Sequence, residues 1–238
     1  APGAVWELHV DEWSKQFRCL FADNRGVGLS DKPPGPYTSE MMAADYLGLM
    51  DHLGIEQAQV VGVSMGSIIA QQLLLKHPSR FSSAVLMCPW ARCDRYATSV
   101  FEHMKRIKAR LTPAEFMEYI QLLIFTKPAW DDDQQYRGMV EARNLAAIDE
   151  TPQPLHGLEA QAAACINHSV LDELHRIRCP TLVIGGADDI FTPRWMAEEI
   201  AERIPGAELH LYEGAGHAFH WERLDDFNAR TLAWFREH

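Results

Sequence analysis

Little in this 238-residue chain points to disulfides, a metal cluster or a polyanionic partner. Its five cysteines, Cys19, Cys88, Cys93, Cys165 and Cys179, are scattered and include no Cys-x-x-Cys pair. An odd, dispersed set argues against a disulfide framework and a structural zinc site, and for free or buried thiols in a reducing, cytoplasmic compartment. Positive charge is scarce: 22 Lys and Arg face 33 Asp and Glu, a formal net charge of -11. Such a surface repels phosphate backbones, so neither nucleic acid nor an anionic membrane is an expected partner. No apolar run is long enough to span a bilayer. Residues 60–75 come nearest, but Ser64, Ser67, Gln71 and Gln72 interrupt them. Internal repeats and low-complexity tracts are missing too. So is an initiator Met: the chain opens Ala1-Pro2-Gly3, which makes the lack of a signal peptide uninformative.

What the chain does have is apolar content, 47% of residues, enough for one large core with an insertion or for two domains. Residues 17–22 (FRCLFA) read as a short buried strand, followed by a Gly-rich turn (DNRGVGLS) and a Pro-rich loop (PPGPY). Thr38 or Ser39 can cap a helix running to about Leu53, with Met42, Tyr46, Leu49 and Leu53 on one face, and Gly54 ends it. Strands are expected at 58–63, 84–88, 181–185 and 208–212. Helices are expected at 67–76, 193–204 and 224–235. Between residues 89 and 178 the apolar spacing is helical throughout, with Thr112 and Glu115 forming a capping-box pattern. Strands alternating with helices imply a parallel sheet covered on both faces. The expected division is a core in two parts, 1–88 and 179–238, around a helical lid at 89–178.

Gly62-Val63-Ser64-Met65-Gly66 lies between an expected strand and an expected helix. A serine on so tight a turn projects its hydroxyl above the sheet. Both glycines are expected where a side chain would strike neighbouring backbone. The helix beyond aims N–H groups and its positive dipole end at the same place, so Met65 N–H is an expected oxyanion donor. The plain alternative is a Gly/Ser turn without chemistry. Gly26-x-Gly28 lacks the third glycine of a dinucleotide loop, so no nucleotide cofactor is expected.

Together these segments resemble the α/β-hydrolase fold family along nearly the whole chain. The matching pieces are Asp23-x-Arg25-Gly26-x-Gly28-x-Ser30, the Ser64 turn, Pro180-Thr181-Leu182-Val183-Ile184, Gly186-x-x-Asp189-x-x-x-Pro193 and Gly214-x-Gly216-His217. The resemblance implies an α/β fold with an inserted helical lid and a triad in the order nucleophile, acid, histidine. Ser64 is then the nucleophile and His217 the proton shuttle. The acid is Asp189, with Asp188 a solvated neighbour and Asp94 a distant third. Arg25 is structural in this reading. His220, one helical turn from His217, packs or hydrogen-bonds beneath the site; it is not expected to be a metal ligand, and no metal or other cofactor is implied.

The pattern departs from the family at the start. The first strands and a His-Gly turn that donates the second oxyanion N–H do not precede Ala1, so a longer gene product is expected, with Ala1 as the candidate second donor. Ser67 stands where another glycine is common. A serine nucleophile favours acyl transfer over the alkyl-ester chemistry of aspartate-dependent relatives. The motifs 34–38, 53–56 and 187–193 resemble 3-oxoadipate enol-lactonases and small carboxylesterases, which implies a small ester or lactone substrate. Alternatives are a cofactor-free perhydrolase or haloperoxidase, a carbon–carbon bond hydrolase, or a non-catalytic binding protein on the same fold. Trp90, Phe101, Phe116, Tyr119, Phe125 and Trp130 either line an apolar pocket or form the core of the helical block. Self-association into a homo-oligomer stays open.

Overall fold

The Val, Leu and Ile runs become strands because both their faces are covered. The computed structural model describes residues 2–238. A 3-10 turn, Gly3–Trp6, leads into α1 (Glu7–Trp13). Then come α2 (Ser39–His52), β1 (Ala58–Val63), α3 (Met65–Lys76) and β2 (Phe81–Met87). Five helices follow: α4 (Arg95–Lys108), α5 (Pro113–Ile124), α6 (Lys127–Asp131), α7 (Asp133–Ile148) and α8 (Leu155–Ile166). The chain closes with β3 (Thr181–Gly186), α9 (Arg194–Arg203), β4 (Glu208–Tyr212), α10 (Phe219–Glu222) and α11 (Leu224–Glu237).

The sheet is parallel throughout, in the order β1-β2-β3-β4. Successive side chains point to opposite faces, so each strand serves two cores. Ala84, Leu86 and Val183 pack with Met42 and Met50 of α2, Leu73 and Leu74 of α3, and Ile200 of α9. Val85, Met87, Leu182 and Ile184 pack on the other face with Trp13 of α1 and Phe227, Leu232 and Trp234 of α11. A third cluster joins Ile68 of α3 to Trp90, Phe101, Phe116, Leu158 and Phe191. Trp90, Phe101 and Phe116 are thus buried, whereas Tyr119, Phe125 and Trp130 are half-buried.

The helical block enters and leaves the sheet through a narrow neck. Val170 N–H donates to Ala91 O at 2.9 Å, and Arg92 and Ser169 form an isolated antiparallel bridge. Within the block, the Thr112 side chain accepts from Glu115 N–H, and the Glu115 carboxylate accepts from Thr112 N–H. Thr38 caps α2, accepting from Met41 N–H.

Residues 17–22 depart from expectation. They form no strand. An extended segment needs a ladder partner for its amides and carbonyls. Here none of the four strands pairs with it, Tyr46 Oη donates to Ala22 O at 3.3 Å, and Leu20 and Phe21 lie largely exposed. The N-terminal helix α1 and the short helix α6 were not expected either. All five cysteines are unpaired. Among the described residues, no helix is long and apolar enough to cross a membrane.

Candidate active site

Ser64 sits between β1 and α3 with φ 53° and ψ -118°. Such a conformation is costly for a residue with a Cβ. It is held by the Ser64 N–H bond to Met87 O (2.8 Å) and by Ser67, whose N–H and Oγ both donate to Ser64 O (2.8 and 2.6 Å). The serine at position 67 therefore braces the turn. The two glycines of the motif are not equivalent. A Cβ on Gly62 would lie 2.2 Å from Gly66 O, but one on Gly66 would meet nothing within 4 Å. The steric expectation holds for Gly62 and fails for Gly66. Met65 opens α3, so its N–H belongs to the first helical turn, which has no acceptor within the helix.

Asp189 lies just past β3 and is buried. Its Oδ1 accepts from Phe191 N–H (2.7 Å) and Thr192 N–H (2.9 Å). Its Oδ2 accepts from Thr192 Oγ1 (2.8 Å) and from His217 Nδ1 (2.7 Å). Burial alone would raise this carboxyl's pKa. The facing imidazole and the bonds from His217 and Thr192 outweigh it, and Asp189 stays below the usual carboxylate range. A carboxylate can only accept, so the neutral imidazole of His217 carries its proton on Nδ1 and its lone pair on Nε2.

The other sequence candidates fall elsewhere. Asp188 is exposed. Asp94 caps α4, accepting from Ala97 N–H at 2.7 Å. Arg25 makes a two-pronged bond to Asp45, both contacts at 2.6 Å, and lies over the Tyr37 ring. His220 is buried and shares a 2.9 Å hydrogen bond with His9 Nε2, while His9 Nδ1 donates to Asn228 Oδ1 at 2.7 Å. Ala1 lies outside the described residues.

Two neighbours of the Asp–His pair gave no signal in the sequence. Thr192 Oγ1 lies 3.1 Å from His217 Nδ1 as well as on Asp189. Cys88, at the end of β2, is fully buried with φ 45°, and its Sγ donates to His217 O at 3.3 Å. Burial, followed by the charge of Asp189, pushes its thiol well up and keeps it protonated. Cys88, Asp189 and His217 bring ligand-type atoms within 4.8 Å of one another. The 2.7 Å Asp189–His217 contact leaves no room for an ion between them, and both Asp189 oxygens are already engaged. The group fits a hydrogen-bonded pair with a thiol behind it, not a metal nest.

Against known proteins, residues 4–224 match the α/β-hydrolase fold family. The chain belongs to that family. This α/β-hydrolase is 32% identical over 238 residues to a provisionally named non-heme bromoperoxidase, BpoC, of Mycobacterium tuberculosis, covering 98% of this chain and 89% of that one. The crystal structure of that protein superposes with a TM-score of 0.88, covering 100% of this chain and 88% of the other. A provisionally named carbamate hydrolase, RutD, of Caulobacter sp. strain K31 is 31% identical over 97% of this chain and 85% of its own. The enol-lactonase of Burkholderia xenovorans LB400 is 27% identical, with a TM-score of 0.87 over 99% of this chain and 87% of that one. Family and relatives together support a hydrolase of the α/β fold.

Proposed function

We propose that this α/β-hydrolase cleaves small carboxylic esters or lactones through an acyl-enzyme on Ser64. The observation that carries this reading is the buried 2.7 Å bond from His217 Nδ1 to Asp189, on loops that follow the same sheet as the strained Ser64 turn. With Nδ1–H committed to the carboxylate, Nε2 is the base. It takes the Ser64 hydroxyl proton as Oγ attacks the substrate carbonyl. Met65 N–H stabilises the oxyanion that develops. Collapse of the tetrahedral intermediate breaks the ester bond, and the imidazolium returns its proton to the leaving alkoxide. A water molecule then repeats the sequence: His217 takes one proton, the hydroxide adds to the acyl carbon, and Ser64 leaves with the proton back on Oγ.

The similarity to an enol-lactonase supports a small ester or lactone as substrate. The similarity to a bromoperoxidase favours a second reading, perhydrolysis, in which peroxide replaces water in deacylation. Turnover of p-nitrophenyl acetate and butyrate tests the first reading. Ser64→Ala is expected to lower kcat by about 10⁴-fold or more. Activity surviving that change would remove Ser64 as nucleophile, and peracid formation exceeding hydrolysis at matched peroxide and substrate would favour the second reading.

A further inference from the structure

His217 is held from outside its own loop. The turn joining α5 to α6 lies against both residues that flank it. Ala218 N–H donates to Ile124 O at 2.9 Å. On the other side, Gly216 N–H donates to Glu222 Oε2 at 2.9 Å, while Glu222 Oε1 accepts from Thr126 N–H (2.8 Å) and Thr126 Oγ1 (3.1 Å). A Cβ on Gly216 would come within 2.8 Å of Ile124 O, so any larger residue there would force the two segments apart. The Phe125 and Trp221 rings stack at 6.1 Å across the same junction.

Glu222 is buried, and each of its oxygens serves a different segment. The site demands a pure acceptor. A glutamine would turn its NH2 toward either Thr126 N–H or Gly216 N–H and set donor against donor. We propose that Glu222 is a positioning residue that ties the His217 loop to the α5–α6 turn, so the imidazole is in register only while that turn is docked. The proposal rests on the hydrolase reading, in which His217 moves the proton.

The test compares the parent with Glu222→Gln and Thr126→Val. It measures p-nitrophenyl butyrate kinetics well below each melting temperature, thermal melting, and the NMR signals of the His217 imidazole. Glu222→Gln is expected to lower kcat roughly 10- to 100-fold with KM changed less than about twofold, because misplacing a reacting group costs the transition state more than the ground state. The His217 Nδ1 proton signal should shift or broaden. Thr126→Val, which removes the hydroxyl's contacts with Glu222 Oε1 (3.1 Å) and Gly214 O (3.5 Å) but keeps the Thr126 N–H bond, should move both readouts the same way by less. A Glu222→Gln protein with lowered melting temperature but parental kcat and His217 signals would overturn the proposal. If that variant fails to fold, parental kcat and His217 signals in Thr126→Val overturn it equally. A parent that turns over no ester, yet whose His217 signal moves in Glu222→Gln, would sink the hydrolase reading and leave the positioning role intact.

Discussion

Ser64 and Cys88 are, among the described residues, the non-glycine residues with positive φ, and they sit at the ends of adjacent strands. Each such conformation costs on the order of 1–3 kcal/mol, so the surrounding structure must hold it in place. Around Ser64 that support is its N–H bond to Met87 O and the two bonds from Ser67, in a turn so tight that Gly62 meets the backbone of Gly66 and admits no side chain. Gly62→Ala is therefore expected to lower the melting temperature markedly and to reduce activity. Gly66→Ala, with open space around the new Cβ and a helical position, should melt within a few degrees of the parent. Calorimetry and ester turnover on the two variants would check this; equal destabilisation would contradict the asymmetry. The strained Ser64 turn is legible in its Gly-x-Ser-x-Gly pattern, and the Asp189–His217 pairing is legible through the resemblance to the family, whose spacing singles out Asp189 over Asp188. Cys88 and Glu222 are not legible, because their positions depend on hydrogen bonds between segments far apart in the chain, such as Thr126 to Glu222, which no local pattern encodes. Thr192 bonds Asp189 three positions away, and what the sequence hides is its approach to His217, 25 positions on.

At the scale of elements, local chemistry speaks most clearly where it acts within a few residues. The Thr112–Glu115 capping box and the Thr38 cap are readable because a side chain bonds backbone three positions away. Thr112→Ala is expected to cost about 1 kcal/mol. Denaturant unfolding would show it as a lower midpoint at constant slope, and a shift below the error of the midpoint would discount the cap. Of the four strands, β1 is half-buried and β4 (ELHLY), at an edge, shows alternating polar and apolar residues, whereas the two central strands, β2 and β3, are readable because parallel strands buried on both faces are apolar runs. Residues 17–22 have the same texture and are not a strand here, because a strand is a property of two segments and the sequence displays only one of them. The short helix α6 falls where the sequence signals only a break, since Pro128 permits a single helical turn as readily as a loop.

For the whole molecule, three buried imidazoles couple stability to pH. Burial pushes His9 down against the opposing bond to Asn228, pushes His220 well down with help from His9 and His217, and takes His168 to about 4. Each is neutral in the folded chain and protonates more readily when unfolded. The unfolded state then binds more protons below about pH 6.5, so stability falls as pH drops through that value and continues to fall toward the folded pKa values. Asp189 adds its own loss lower still, as pH falls through its depressed pKa. Melting temperature should decline between about pH 7.5 and pH 5. His168→Gln, which can keep a partner for Ser39 or Gln71, should flatten part of that decline. A parental slope in His168→Gln would show that His168 carries none of the effect.

The neck at Ala91–Val170 also bears on how this chain can change. It brings together two points 79 positions apart in sequence. Closing a loop costs entropy only as the logarithm of its length, about 0.6 kcal/mol for each doubling. With both ends pinned, turns between the helices of the block can lengthen or shorten without disturbing the strand ends that carry Ser64, Asp189 and His217. The exceptions are the α5–α6 turn, bonded to the histidine loop, and residues 153–161, bonded to the 25–37 segment through Gln153, Ala160 and Gln161. Insertions should therefore be tolerated in the exposed turns at residues 109–110 and 149–152 and selected against at 124–126, 153–161 and 167–170, which are bonded to the rest of the fold.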